Sequence, residues 1–190
     1  YDVGCGNGKY LAQLDQLSAA GVGVDMCESL VGICRKRSLE AVIGDALVVP
    51  LRSNAADLVI SIAVIHHLST RERRQEVVEE VVRVLRPGGY GLITGWAREQ
   101  PQGGRRRFER DDVLISWQMP KRFAPDQTQD DTQGDAQETK DGKLIFQRFC
   151  HVFHPGELTG LLESAAKVQK SRIQVVREYV EVGNCCLEFR

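Results

Sequence analysis

Short apolar runs of strand type alternate with helical patterns over residues 1–96, and this alternation constrains the fold more than any other feature. The strand-type runs occupy residues 1–4, 21–25, 41–44, 57–62 and 90–95. Helical periodicity fills residues 9–17, 29–37 and 71–85. Strands separated by helices form parallel sheets with helices on both faces. We therefore predict an α/β fold, and periodicity leaves the strand order open.

The third helical pattern ends in Arg86-Pro87-Gly88-Gly89. Proline cannot continue the hydrogen-bond ladder of a helix, and glycine permits a left-handed turn. We expect the helix to stop here and the next strand to begin at Tyr90.

Residues 99–142 are rich in polar side chains. Such a composition buries too little apolar surface to offset the entropy lost on ordering, so we predict a mobile insertion. An apolar island at residues 112–117 is expected to dock back onto the domain. Residues 143–153 favour a strand or extended segment, and residues 155–168 a helix with Pro155 in its first turn. Residues 173–179 and 184–189 favour a closing hairpin.

The composition is that of an ordinary globular protein. Its 25 Lys and Arg residues are balanced by 26 Asp and Glu residues, so the net charge supplies no general attraction to phosphate. The six cysteines contain no Cys-x-x-Cys pair, so we predict reduced thiols, no metal site and a cytoplasmic location, with a nuclear one also compatible. No run of about 18 apolar residues is present. We expect a single domain over residues 1–190, and the abrupt first strand suggests that it is N-terminally incomplete.

A glycine-rich loop, Asp2-Val3-Gly4-Cys5-Gly6-Asn7-Gly8, lies between the first predicted strand and helix. Asp25 and Asp45 end the next two strands, where carboxylates could accept ribose hydroxyls and an adenine amino group. Alternatively, Asp25 caps a helix and Asp45 is a loop carboxylate. Ligands of open α/β sheets bind at the carboxyl ends of strands, so the three features together predict a nucleoside-type cofactor. The glycine spacing differs from the dinucleotide fingerprint.

With Gly44-Asp45-Ala46 and Arg86-Pro87-Gly88-Gly89, this loop resembles the class I methyltransferase pattern over about the first 95 residues. The resemblance implies a Rossmann-like fold, a seven-stranded mostly parallel sheet with a reversed last strand and helices on both faces. It also implies S-adenosyl-L-methionine as cofactor. The implied cofactor-binding residues are Asp2, Gly4, Gly6, Gly8, Asp25, Asp45, Ala46, Ser61 and Ala63.

Later segments resemble the eukaryotic transfer-RNA 5-carboxymethyluridine methyltransferase family. They are residues 61–67, 71–74, 96–100, 111–117, 148–158 and Gly183-Asn184. No Asn/Asp-Pro-Pro-aromatic element follows the fourth strand, which disfavours methylation of base amino groups. The chain departs from the family pattern at Ile115-Ser116, Cys150, His154 and Cys185.

The resemblance implies methyl transfer to the carboxylate of 5-carboxymethyluridine at the wobble position of transfer RNA. This carboxylate is ionised at neutral pH, because its pKa is about 4, and it needs no general base. We hypothesise that Arg148 and His151 hold the anionic carboxymethyl group or a neighbouring phosphate, while His67 and Trp117 line the pocket that the unstacked uridine enters. Alternatively, His66 or His67 caps a helix, Trp117 anchors a loop and Arg148 pairs with an acid.

The basic run at residues 105–107, with Lys121 and Arg122, is either a phosphate contact or a solvated loop. The resemblance further implies a small zinc-binding activator subunit that covers an apolar edge of the domain. We expect no membrane partner, because no long apolar run is present. Two other functions stay open at this point. One is a small-molecule methyltransferase of the quinone-biosynthesis type, and the other is a methyltransferase-like binding module without turnover.

Overall fold

Strands and helices alternate from the first residues to Trp96, as the sequence predicts, except that no helix separates the strands at residues 41–43 and 56–62. The structure is a computed structural model that describes residues 1–16, 19–101, 107–120, 137–138 and 141–190. Its first half contains β1 (Asp2–Val3), α1 (Lys9–Gln16), β2 (Gly23–Asp25), α2 (Glu28–Lys36), β3 (Ala41–Ile43), β4 (Ala56–Ile62), a short 3-10 helix (Ile65–His67), α3 (Arg71–Val84) and β5 (Leu85–Trp96).

The second half contains β6 (Asp112–Pro120), β7 (Gln137–Glu138), β8 (Lys143–His151), α4 (Glu157–Gln169), β9 (Val175–Glu181) and β10 (Asn184–Phe189). Pro155 lies before the N-cap Gly156 of α4, so its predicted place in the first helical turn was wrong. Gly156 occupies the cap in a left-handed conformation, with φ 87°.

Seven strands form the main sheet in the order β3-β2-β1-β4-β5-β10-β9. Pairing is parallel from β3 to β5, and β10 is antiparallel to both of its neighbours, β5 and β9. The last strand is therefore the reversed one, and the predicted fold class is confirmed. The β9–β10 hairpin turns at Val182 and Gly183, whose φ angles of 47° and 75° suit a two-residue hairpin turn.

The main core lies between the sheet and helices α3 and α4. Thr70 caps α3 by accepting a hydrogen bond from the Arg73 N–H at 3.2 Å. The helix places a valine stripe against Val59 and Ile93 of the central strands, and α4 contributes three leucines to the same core. The buried members of the two helix faces are Val77, Val78, Val81, Leu158, Leu161 and Leu162.

Strand β5 begins directly after α3, earlier than the expected start at Tyr90. Leu85 already pairs with Ala56, and Tyr90 pairs with Leu58, so residues 86–89 bulge out opposite Asp57 alone. Gly88 takes a left-handed conformation within this bulge, with φ 77°. The helix ends before the proline and glycines, as predicted. Pairing with β4 begins already at Leu85, on the N-terminal side of Pro87.

A second sheet, in the order β6-β8-β7, arises from the predicted insertion and the segment after it. Strands β6 and β8 pair antiparallel from Asp112 opposite His151 to Pro120 opposite Lys143. The apolar island is thus part of a strand. Residues 102–106, 121–136 and 139–140 lie outside the described residues, with most of the basic run, and the mobility of the insertion stays a prediction. In the part of the chain that the structure describes, no helix has the length and apolar character needed to cross a membrane.

Two glycine substitutions should change stability in opposite directions. A Cβ at Gly91 would overlap the buried ring of Phe189, whereas a Cβ at Gly32 within α2 meets no atom within 4 Å. We expect Gly91→Ala to lower the free energy of unfolding by about 1–3 kcal/mol through overpacking. Gly32→Ala should raise it by about 0.5–1 kcal/mol through helix propensity. Urea denaturation measures both, and equal effects would contradict the tight packing of β5 on β10.

Candidate functional site

The glycine loop leaves β1 at the carboxyl edge of the main sheet. Gly4, Gly6 and Gly8 all have positive φ, at 82°, 54° and 77°. A Cβ at Gly4 would overlap the side chain of Val64, so the loop lies directly against the segment that follows β4. Only glycine combines this backbone with such close approach.

Asp25 at the end of β2 holds this loop. Its Oδ2 accepts a hydrogen bond from the Gly6 N–H at 2.8 Å, and its Oδ1 accepts one from the Cys27 N–H at 2.9 Å. The N-cap residue of α2 is Cys27, so Asp25 is not the cap itself. An ionised carboxylate has about four acceptor sites, which leaves two for the hydroxyls of a ligand.

Asp2 and Ser61 are buried polar groups that lie on neighbouring strands at the same edge. Asp2 is 1% exposed and Ser61 is fully buried, and neither Asp2 Oδ2 nor Ser61 Oγ has a hydrogen-bond partner among the described residues. Burial, assisted by the negative charge of Asp25, raises the pKa of Asp2 to about 7. Buried polar atoms without partners suit a site that a polar ligand completes.

The other predicted cofactor residues line the same edge. Asp45 is exposed and its Oδ1 accepts the Leu47 N–H at 2.9 Å, which fits a loop carboxylate, and Ala46 follows it in this turn. Ala63 has a φ of 61°, unusual for a residue with a side chain, and its N–H reaches the carbonyl and the hydroxyl of Thr94, both at 3.2 Å. The residues present therefore fit a nucleoside cofactor that lies across β1, β2 and β4.

The 3-10 helix after β4 brings His67 against β8. His67 Nδ1 lies 3.2 Å from the Phe149 carbonyl oxygen and 3.6 Å from Cys150 Sγ. Burial lowers the pKa of His67 and the Arg148 cation lowers it further, against the opposing effect of the Phe149 hydrogen bond. His67 is therefore a neutral imidazole at physiological pH. The side chain of His67 contacts β8, and the neighbouring helix caps are Leu68 and Thr70, so His67 is not a helix cap.

One face of the β6–β8 sheet carries the other pocket candidates. Cross-strand pairing places Cys150, Arg148 and Phe146 opposite Val113, Ile115 and Trp117, respectively, so these six side chains share a face. The Arg148 guanidinium lies 4.8 Å from the centre of the Trp117 ring, a cation–π contact. The structure thus places Arg148 and Trp117 on the same face as Cys150, whose sulfur lies next to His67.

His151 lies on the opposite face and is separated from that group. Its Nδ1 contacts Asp112 Oδ1 and its Nε2 contacts Glu157 Oε1, each at 2.7 Å. The predicted role in holding a substrate anion does not fit this geometry, because two carboxylates occupy both ring nitrogens. His151 instead ties β6, β8 and α4 together, and we call this group the histidine clamp.

Long-range packing produces the clamp, and spacing in the sequence does not reveal it. Asp112 and Glu157 stand 39 residues before and 6 residues after His151 in the chain. A second network beside the clamp was also missed: Asp111 accepts from Arg98 and contacts His154 Nε2 at 3.0 Å. The only sequence signal was the density of acidic residues at positions 109–112.

Comparison with known proteins agrees with this geometry. Residues 1–93 match the family described as "Methyltransferase domain". The chain is 40% identical to the tRNA (carboxymethyluridine(34)-5-O)-methyltransferase of Schizosaccharomyces pombe, over 86% of this chain and 71% of that protein. It is 35% identical to the tRNA (carboxymethyluridine(34)-5-O)-methyltransferase alkbh8 of Xenopus tropicalis, over 98% of this chain and 34% of that protein.

Solved structures share the fold at low sequence identity. The CcbJ methyltransferase from Streptomyces caelestis matches with a TM-score of 0.70 at 14% identity, over 100% of this chain and 81% of that chain. The glycopeptide N-methyltransferase MtfA, solved in complex with S-adenosyl-L-methionine, matches with a TM-score of 0.65 at 15% identity, over 100% of this chain and 79% of that chain. These likenesses concern the fold alone.

Replacement of Asp25 should weaken cofactor binding. Asp25→Asn keeps the shape of the side chain but removes the charge, and a hydrogen bond to a charged group contributes about 1.5–3 kcal/mol. We expect the Kd for S-adenosylmethionine to rise about 10- to 100-fold in calorimetric titrations. Asp57→Asn is the matched control, since Asp57 is 75% exposed and contacts the Arg86 guanidinium at the surface. An unchanged Kd in a folded Asp25→Asn protein would contradict the site.

The histidine clamp should make stability depend on pH. Burial alone would lower the pKa of His151, but the hydrogen bonds to Glu157 and Asp112 outweigh it and leave the pKa raised above 6.5. The imidazolium therefore contributes stability below about pH 6.5, and this contribution is lost as pH rises through the folded-state pKa.

We expect the free energy of unfolding of the unmodified chain to fall more steeply than that of His151→Gln as the pH rises above 6.5. Urea denaturation at a series of pH values measures the two slopes. The raised pKa of Asp2 affects both proteins alike and cancels in the comparison. Parallel pH profiles would show that the clamp does not hold a proton.

Proposed function

The chain belongs to the family of S-adenosylmethionine-dependent methyltransferases that includes the Schizosaccharomyces pombe tRNA (carboxymethyluridine(34)-5-O)-methyltransferase, and on this premise we propose its reaction. It transfers a methyl group from S-adenosyl-L-methionine to the carboxylate of 5-carboxymethyluridine at the wobble position of transfer RNA. The product is the methyl ester. The chain spans about a third of the length of the Xenopus tropicalis relative, so this activity is proposed for the domain that the chain forms.

The contact between Trp117 and Arg148 is the observation that carries the proposal. Trp117 is 41% exposed, and Arg148 lies over its ring on the face that meets His67. An aromatic plane beside a guanidinium can stack an unpaired base and attract a carboxylate or phosphate. This face adjoins the carboxyl end of β4, where the cofactor residues lie. A base stacked there would bring its substituent close to the cofactor crevice.

Positioning accounts for the chemistry. Bound S-adenosylmethionine supplies an electrophilic methyl group. A carboxylate oxygen attacks this carbon in line, so that a C–O bond forms while the C–S bond breaks, and no proton moves. Because the nucleophile is already ionised, the protein needs no general base, which agrees with the neutral His67. Asp25 and the glycine loop orient the cofactor, while Arg148 orients the anionic group and the β6–β8 face limits access of water.

A small zinc-binding activator subunit forms part of the same proposal, at the exposed edge of β3. This strand is one end of the main sheet, and two nearby apolar side chains are exposed, Ile43 at 47% and Val48 at 74%. An open strand edge with apolar neighbours supports pairing with another chain. We also propose a cytoplasmic location, with a nuclear one compatible.

The test is methyl transfer from labelled S-adenosylmethionine to transfer RNA from cells that lack the modification, with and without the activator subunit. We expect label in a base-labile ester at the wobble uridine. In Trp117→Ala the KM for transfer RNA should rise about 5- to 100-fold at unchanged cofactor affinity, because one stacked base contributes about 1–3 kcal/mol. Leu114→Ala is the matched control, since Leu114 is 66% exposed on the opposite face of β6.

The possible outcomes separate the alternatives. Absence of label despite measured cofactor binding and added activator would overturn the proposal. Label in a small quinone-type acceptor would then identify the small-molecule methyltransferase, and absence of transfer to any acceptor would identify the binding module. A Trp117→Ala enzyme with unchanged KM would exclude the β6–β8 face as the uridine site.

A further inference from the structure

We propose that His66, His67 and Cys150 form a binding site for a divalent transition-metal ion, with Zn²⁺ as the ion that this donor set prefers. One ligand atom from each residue lies within 4.8 Å of the other two. The sequence predicted no metal site, because its cysteines form no Cys-x-x-Cys pair, and Cys150 follows His67 by 83 residues. Only the docking of β8 against the 3-10 helix brings the three together.

The separation of the donor atoms suits a metal. His67 Nδ1 and Cys150 Sγ are 3.6 Å apart. Nitrogen and sulfur ligands about 2.1 and 2.3 Å from one tetrahedral zinc ion lie roughly 3.6 Å apart. The Phe149 carbonyl oxygen, 3.2 Å from the same nitrogen, bonds to it only when Nδ1 carries the proton. In the other tautomer the Nδ1 lone pair is available to an ion.

The ligands are held in place before any ion binds. His66 is 1% exposed and stacks on Trp96, with ring centres 4.9 Å apart and planes 19° apart. Cys150 is also 1% exposed, on a strand paired along its length with β6. The side chain of His67 is only partly buried and gives solvent a path to the cluster. Rigid ligands with one open approach favour metal affinity.

The chemistry of the donors selects the ion. One thiolate and two imidazoles favour Zn²⁺, Co²⁺ or Cu⁺ over Mg²⁺ and Ca²⁺, which prefer oxygen ligands. Cys150 binds as the thiolate and releases its proton to solvent. Three protein ligands leave one coordination position for water or another ligand. A bound ion would link the 3-10 helix to β8 and so fix the β6–β8 face against the carboxyl end of β4.

Cobalt titration of the metal-free chain tests the site independently of any methyl transfer. Co²⁺ takes the place of Zn²⁺, and a bound thiolate gives a near-ultraviolet charge-transfer band, with visible bands that report tetrahedral geometry. We expect one equivalent of Co²⁺ to bind with both signals and Zn²⁺ to displace it. The thermal midpoint of unfolding should rise with the concentration of the ion.

Matched variants identify the ligands. Cys150→Ser should lose the charge-transfer band, and His67→Gln should lose the tetrahedral visible bands, with circular dichroism to confirm that each variant is folded. Cys27→Ser and His154→Gln are controls, because neither residue belongs to the cluster, and both should bind Co²⁺ as the unmodified chain does. Absence of a thiolate band in the unmodified chain, or its persistence in Cys150→Ser, would overturn the proposal.

Discussion

Burial of the central strand β4 on both faces is the constraint on which the rest of the site depends. Val59, Ile60 and Ser61 are all buried although successive side chains point to opposite faces of the sheet. A strand covered in this way can present groups to a ligand only where it ends. The backbone leaves β4 through a left-handed residue, Ala63, and the fully buried Ile65 then anchors the 3-10 helix. This exit places both histidines beside the cofactor crevice.

The second sheet packs against the 3-10 helix at this edge. Ligands of open α/β sheets bind in a crevice outside the carboxyl ends of the strands. Strands β6 and β8 add a wall whose inner face carries Trp117, Arg148 and Cys150. The histidine clamp fastens this wall to α4, and α4 packs in the main core. Groups far from the crevice thus fix the position of this wall.

Carboxylates in this structure have three different roles, set by their surroundings. Asp25 uses both oxygens to hold backbone N–H groups, and Glu157 pairs with an imidazole. Asp2 is buried with an unpartnered oxygen, and burial raises its pKa to about 7. The charges of Asp25 and Glu157 therefore position neighbouring backbone and side-chain groups. This agrees with a reaction whose nucleophile is ionised before it binds and whose barrier falls mainly through orientation.

The sequence by itself determined the alternation of strands and helices and the glycine loop, and it placed Asp25 and Asp45 at strand ends. These features are local: periodicity, helix-stopping residues and loop glycines act within a few neighbouring residues. Only the tertiary structure puts Arg148 and Trp117 on the face of the β6–β8 sheet next to His67, and His151 on the opposite face. Antiparallel pairing of β6 with β8 assigns each side chain to a face, and a shift of one residue would reverse every assignment. Because that register depends on pairing between residues 23 to 39 positions apart, the chain pattern alone cannot specify it.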